Sequence, residues 1–188
     1  MKIAVIGAGK IGGTLGGKWE QSGHEVVFGL RDPSKKKGAQ SIGAALDAAD
    51  TVLLAIPGDA VVAFVRDNAR ALDGKTVIDA TNNFRGADMN SWAQCQPVVP
   101  KARLYRAFNS YGWDVFADPV IGGEEPDLFY AGPEEGHEDV EKLITDVGLR
   151  PVRVGDTDQA GAVDGALRLW FALSRTKGRH TAFKLLTD

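Results

Sequence analysis

The chain has 188 residues, 44% of them apolar and 25% charged, enough for one good core plus a small appendage. Its formal net charge of −3 gives no reason to expect nucleic acid or an acidic membrane surface as a partner, and no apolar run is long enough to span a bilayer. The single Cys95 excludes an internal disulfide, and three scattered histidines (His24, His137, His180) offer no metal-ligand spacing. The first strand begins at once, leaving no room for a signal peptide, so a cytoplasmic protein is expected.

The opening stretch reads as strand, glycine turn, helix, strand. Lys2 to Ile6 is a short, β-branched apolar run suited to a strand buried on both faces. In the turn Gly7-Ala8-Gly9-Lys10-Ile11-Gly12, Gly7 permits the tight bend, Gly9 lets backbone approach a pyrophosphate, and Gly12 lets helix and strand pack closely. A helix from Lys10 to Ser22 then presents its free N–H groups and positive dipole end to the phosphates, with Gly23 at its C-terminal cap. The hexapeptide alone also serves as a plain connection, so its weight comes from the flanking elements.

The second strand, Glu25 to Leu30, ends at Arg31 rather than at the carboxylate that usually holds the ribose 2′-hydroxyl of NAD. Arg31, with Ser34 and Lys35 behind it, favours the 2′-phosphate of NADP. Lys36 and Lys37 read as solvated loop. Asp32 is the dissenting residue, since it is a carboxylate, although two positions late for a ribose ligand.

The chain continues with a vestigial strand near Ala39 to Ser41, a short helix Ile42 to Ala48, and a strand Thr51 to Ile56 stopped by Pro57-Gly58. Asp59 or a neighbour is placed to cap an amphipathic helix over AVVAFVRDNARAL, and Thr76 to Ala80 forms the next strand. The segment RGADMNSWAQCQPVVP reads as a loop with one helical turn at Ser91 to Gln94. Strands follow at Arg103 to Phe108, Asp127 to Ala131 and Arg150 to Val154, with a helix from Glu134 to Val147. Asn109-Ser110-Tyr111-Gly112-Trp113 reads as a connection. A last helix, Asp156 to Leu173, carries Ala162, Ala166, Leu169 and Leu173 along one face, and its small residues allow close approach to the sheet or to a second subunit. The expected fold is α/β, a Rossmann-type doubly wound, mostly parallel sheet over residues 1–155, with a helical extension over 156–188.

Together the stretches IAVIGAGKIG, GLRDP, DTVLLAIP, TVIDATN, RAFNSYG, DLFYAG and RHTAFKLL resemble the NADP-dependent oxidoreductases typified by the NADPH-dependent reductase of the deazaflavin coenzyme F420. Related folds are the NADPH-binding domain of ferric reductases and the N-terminal domain of pyrroline-5-carboxylate reductases. The resemblance implies a nicotinamide beside Ile56 and Pro57, with Ala107, Phe108 and Asn109 as the floor on which a second ring stacks. It departs from the family in the short segment between the second and third strands and in the RGADMNSWAQCQ loop.

Cofactor contacts are therefore expected from Gly7, Gly9, Lys10, Ile11, Gly12, Arg31, Ser34, Lys35, Ile56, Pro57, Ala107 and Asn109, with Asn109 and Pro57 closest to the chemistry. NADP is the expected cofactor and F420 a possible co-substrate. Hydride transfer between bound rings asks for proximity and exclusion of water rather than a triad, and no nucleophile elbow or HExxH motif is present. Tyr111, Ser110 and Asn109 are the candidate proton donors should the substrate be a carbonyl or imine, and Asp79 reads as structural. A non-catalytic NADP sensor is the remaining alternative. A homodimer through the last helix, with Trp170 and Phe171 on apolar surface, is expected to complete the enclosure.

Overall fold

The computed structural model describes all 188 residues. One eight-stranded sheet runs through the chain in the order β3-β2-β1-β4-β5-β6-β7-β8. Its strands are β1 (Lys2–Ile6), β2 (Glu25–Leu30), β3 (Gln40–Ser41), β4 (Thr51–Leu54), β5 (Thr76–Asp79), β6 (Arg103–Arg106), β7 (Asp127–Ala131) and β8 (Arg150–Gly155). Every neighbouring pair is parallel except β6 and β7, which meet antiparallel at Arg106 and Ala131. The reversal of strand order between β1 and β4 opens the crevice in which parallel sheets of this kind bind ligands.

The period of two along β1 divides the core between the two faces of the sheet. Ile3 and Val5 join Leu15, Trp19 and Phe28 on one face, where α1 (Lys10–Gln21), α6 (Trp113–Ala117) and α7 (His137–Val147) pack. Ala4 and Ile6 join Val52, Leu54 and Val77 on the other, under α2 (Ile42–Ala48), α3 (Val61–Asp67) and α5 (Trp92–Cys95). Trp19 anchors α1, fully buried and donating from its indole N–H to the Leu143 carbonyl at 3.0 Å.

Several boundaries differ from the sequence reading, each for a local reason. The ladder of β4 stops at Leu54, three residues before the proline, and that of β6 stops at Arg106 because Phe108 adopts φ +60°, the one non-glycine residue in the left-handed region. The amphipathic stretch after Pro57 is not one helix. Asn68 donates its side-chain N–H to the Phe64 carbonyl at 2.8 Å and splits it into α3 and α4 (Ala69–Leu72), while Asp59 lies inside a 3-10 turn and caps nothing. α7 begins at His137, after a left-handed Gly136, and α6 stands where a connection was expected.

The final helix, α8 (Ala160–Lys177), starts four residues late because Asp156 caps a 3-10 turn ahead of it. Its buried face is also rotated from the expected one. Val163, Asp164, Leu167 and Trp170 face the core, whereas Leu169 is 54% exposed. Trp170 is therefore part of this chain's own core, its indole N–H on the Thr181 carbonyl at 2.6 Å, and does not present apolar surface outward.

Candidate functional site

The glycine turn is built by close approach. Gly7 sits at φ +104°, and a Cβ there would lie 2.4 Å from the Ala55 carbonyl oxygen; a Cβ on Gly12 would lie 2.1 Å from the Gly7 carbonyl oxygen. Both positions exclude any side chain, so strand β1, helix α1 and the end of β4 meet on bare backbone. Gly9, between them, faces open space and begins α1 without a side-chain cap. The unpaired N–H groups of the first helical turn are thus left for an anion.

From this turn a cleft of about 590 Å³ extends to the ends of β2 and β4. Gly7, Gly9, Arg31, Lys35, Ile56 and Pro57, all expected from sequence, line it together with Asp32. A second hollow of about 540 Å³ shares Arg31, Ile56 and Pro57 and runs toward Phe64 and Asn68. Asp32 spends one carboxylate oxygen on the Ser34 N–H (3.2 Å) and hydroxyl (2.6 Å), so Ser34 turns inward onto the 3-10 turn and does not line the cleft. Lys36 folds its ammonium over the Phe28 ring at 4.1 Å rather than standing free.

The other expected residues are placed behind or beside the cleft. Gly12 and Ile11 pack against core, and Lys10 holds its ammonium 4.9 Å from the Trp113 ring. Ala107 and Asn109 lie beneath the surface, Asn109 being 1% exposed. Its amide donates to Asp164 at 3.1 Å, its backbone carbonyl accepts from Asn82 at 2.9 Å, and its Oδ1 has no partner in the chain. Phe108 is core, meeting Trp19 and Phe116 edge-on at 5.7 and 5.9 Å. Tyr111 is turned away from the cleft. Its phenol donates to the Asp127 carbonyl at 2.6 Å and accepts the Phe183 N–H at 3.1 Å, and burial pushes its ionisation far above that of an ordinary phenol.

Sequence reading missed the charged cluster at the carboxyl ends of β5 and β6. Arg106, fully buried, donates to Asp79 at 3.0 Å, to Asn82 at 2.9 Å and twice to one oxygen of Asp164, at 2.9 and 2.7 Å. Trp92 donates to Asp79 at 3.2 Å and Asn90 to Asp164 at 2.6 Å, so both carboxylates are held by donors within the chain. The available signal was an arginine inside an apolar strand and a lone aspartate on the apolar stripe of α8, since charges at such places are seldom buried unpaired.

A doubly wound sheet with a glycine-cradled cleft at its strand reversal defines a Rossmann-type nucleotide-binding fold. Residues 2–83 match the family model described as "NADP oxidoreductase coenzyme F420-dependent", which bears out the resemblance over the nucleotide-binding half. Over its full length the chain superposes on a structure from Arthrobacter sp. FB24, provisionally named an F420-dependent NADP reductase, with TM-score 0.87 and 24% identity and complete coverage of both chains. The reductive aminase of Aspergillus terreus, solved with NADPH and ethyl-5-oxohexanoate, matches at TM-score 0.67 and 21% identity, over 92% of this chain and 60% of that one. At these identities the likeness is one of fold. Glycerol-3-phosphate dehydrogenase (NAD(P)+) of Pseudomonas savastanoi pv. phaseolicola is 22% identical over 125 residues, 54% of this chain and 37% of its own. The chain thus spans little more than a third of that curated relative.

Proposed function

We propose that the chain is an NADPH-dependent reductase that passes a hydride between NADP(H) and a planar ring acceptor, a deazaflavin of the F420 type. The observation that carries the reading is the pairing of the bare glycine turn with Arg31 and Lys35 in one cleft that ends at Ile56 and Pro57. The turn and the first N–H groups of α1 hold the pyrophosphate, Arg31 and Lys35 the 2′-phosphate, and the nicotinamide lies along Ile56 and Pro57. When bound, the nicotinamide supplies the hydride. The protein supplies placement: Pro57 is a rigid lip, and Asn109 and Ala107 back the ring site from beneath, the orphaned Asn109 Oδ1 being an acceptor that the fold itself does not satisfy.

No histidine or tyrosine lines the cleft, which favours direct hydride transfer over reduction coupled to a protein acid. Imine or carbonyl reduction is the second reading, supported by the fold shared with the A. terreus enzyme, of which this chain covers 60%. The two separate by experiment. NADPH oxidation screened against F420, flavins and cyclic imines should be fastest with the deazaflavin, and stereospecifically deuterated NADPH should deliver its label to that acceptor. Turnover with imines alone would replace the first reading with the second, whereas label lost to solvent would point to a flavin, whose reduced N–H exchanges with water.

The reading includes a cytoplasmic location, in keeping with the lack of any helix long and apolar enough to cross a membrane. It also includes a division into a nucleotide-binding body, 1–155, and a helical extension, 156–188, and a homodimer. The outward face of α8 offers Leu169 and Phe171, and Phe171 meets the exposed Phe84 ring edge-on at 5.3 Å. An active monomer in sedimentation at micromolar concentration would remove the dimer from the proposal.

A further inference from the structure

We infer that the buried cluster of Asp79, Arg106 and Asp164 sets the redox preference of the ring site, its surplus negative charge stabilising the oxidised, cationic nicotinamide over the reduced, neutral one. The inference rests on the cofactor reading above and goes beyond it, because it assigns a role to residues outside the cleft.

The charge count is simple. Two carboxylates share one guanidinium, with side-chain exposures of 5% for Asp79, 7% for Asp164 and 0% for Arg106. The other polar partners, Thr81, Asn82, Asn90, Trp92 and Asn109, are neutral. Arg168 and Asp88 line a hollow on the outer side of Asp164, but both are exposed and screened by water. One negative charge is therefore left uncompensated in a poorly solvated interior, an arrangement that costs stability and calls for a reason.

The cluster is joined by contacts to the lip of the proposed ring site. A Cβ on Gly58 would come within 2.4 Å of the carbonyl carbon of Asn82, so the Pro57-Gly58 lip rests on Asn82. The Asn82 Oδ1 accepts from the Arg106 Nη2, the same nitrogen that donates to Asp164. Asp164 meets only donors, from Arg106, Asn109 and Asn90, and so fixes the Asn109 amide with its nitrogen inward and its oxygen free. Hydride donation moves two electrons and one hydrogen nucleus from the neutral dihydronicotinamide to the acceptor and leaves a pyridinium cation. At an effective dielectric of about 20, a unit charge acting over about 10 Å shifts such an equilibrium by about tenfold.

The test compares dissociation constants of NADP+ and NADPH, measured by calorimetric titration, in the wild type and in Asp164→Asn, Asp164→Glu and Asp79→Asn. Asp164→Asn is expected to raise the ratio Kd(NADP+)/Kd(NADPH) about tenfold, equivalent to about 30 mV in the potential of the bound two-electron couple. Asp164→Glu keeps the charge and should keep the wild-type ratio even where both affinities fall. Asp79→Asn, which removes a charge across Arg106, should shift the ratio the same way and decides the matter should Asp164→Asn not fold. A purely structural role predicts equal losses for both nucleotides. An unchanged ratio in cooperatively melting neutral variants overturns the inference and leaves the cofactor reading intact; a wild type that binds neither nucleotide overturns both.

Discussion

Arg106 and Asp164, 58 residues apart, are joined by two hydrogen bonds from one guanidinium edge to a single carboxylate oxygen, at 2.9 and 2.7 Å. This pair ties α8 to the carboxyl end of β6, and through Asp79 and Asn82 to the end of β5. Arg106→Leu would strand two buried carboxylates, so a loss of roughly 3–5 kcal/mol is expected. Urea unfolding of the variant against the wild type measures it; a loss below about 1 kcal/mol would show the cluster to be relaxed in solution.

The contact between Gly12 and Gly7 sets a second expectation. A methyl group on Gly12 would sit 2.1 Å from the Gly7 carbonyl oxygen and 3.0 Å from the Ala55 Cβ, both against backbone or a short side chain that cannot swing aside. Gly12→Ala should therefore cost about 1–3 kcal/mol in stability by overpacking. Because the displaced backbone is the proposed pyrophosphate cradle, it should also weaken NADPH binding, as read by quenching of protein fluorescence.

Arg31 lines both hollows at the end of β2, and no salt bridge within the chain engages it. A charge-assisted bond to phosphate contributes about 1.5–3 kcal/mol, or roughly ten- to hundredfold in affinity. Arg31→Ala should erase most of a preference for NADPH over NADH in direct titrations. Equal affinities in the wild type would instead promote Asp32 to a ribose ligand, with Ser34 released from it.

Tyr111 is a structural phenol, bonded to the Asp127 carbonyl and the Phe183 N–H and 4% exposed. Tyr111→Phe should lower stability by about 1 kcal/mol while leaving turnover near the wild-type value. Abolished turnover in a folded Tyr111→Phe protein would point to a phenolic proton donor and to imine or carbonyl reduction.

Asp146 supplies a pH dependence. Its partial burial is the largest single influence and raises its pKa, but hydrogen bonds from Lys142 (2.9 Å) and His24 (2.7 Å), with their charges, outweigh it and lower the carboxyl below its ordinary range. A folded-state pKa below the unfolded one, which lies near about 3.9, adds stability that is complete above that value and lost as pH falls through the lower one. Melting temperatures of wild type and Asp146→Asn should differ by a constant amount above about pH 5 and converge in acid.

Cys95 offers a probe of the same region. Burial, then the Asp79 carboxylate, push its thiol up to about 11, with Arg66 opposing. Ellman's reagent at neutral pH should find no thiol in the native protein and one in denaturant.

Read from the sequence alone, β1, the glycine turn, α1 and β2 are located to within a residue, because apolar period and glycine spacing are local properties that need no knowledge of the rest of the chain. The same holds for Arg31, Lys35, Ile56 and Pro57, which follow the carboxyl ends of β2 and β4 in a parallel sheet and so gather along one edge. Tertiary structure alone decided three things. It turned Asn109 and Ala107 inward, because the left-handed Phe108 rotates the chain after β6 into the core. It rotated α8 so that Asp164 and Trp170 face inward and Leu169 outward, because pairing the buried Arg106 outweighed the small-residue face. And it brought Asp79, Arg106 and Asp164 together, since nothing in the local chemistry of three residues spread over 85 positions records which buried charge will find which partner.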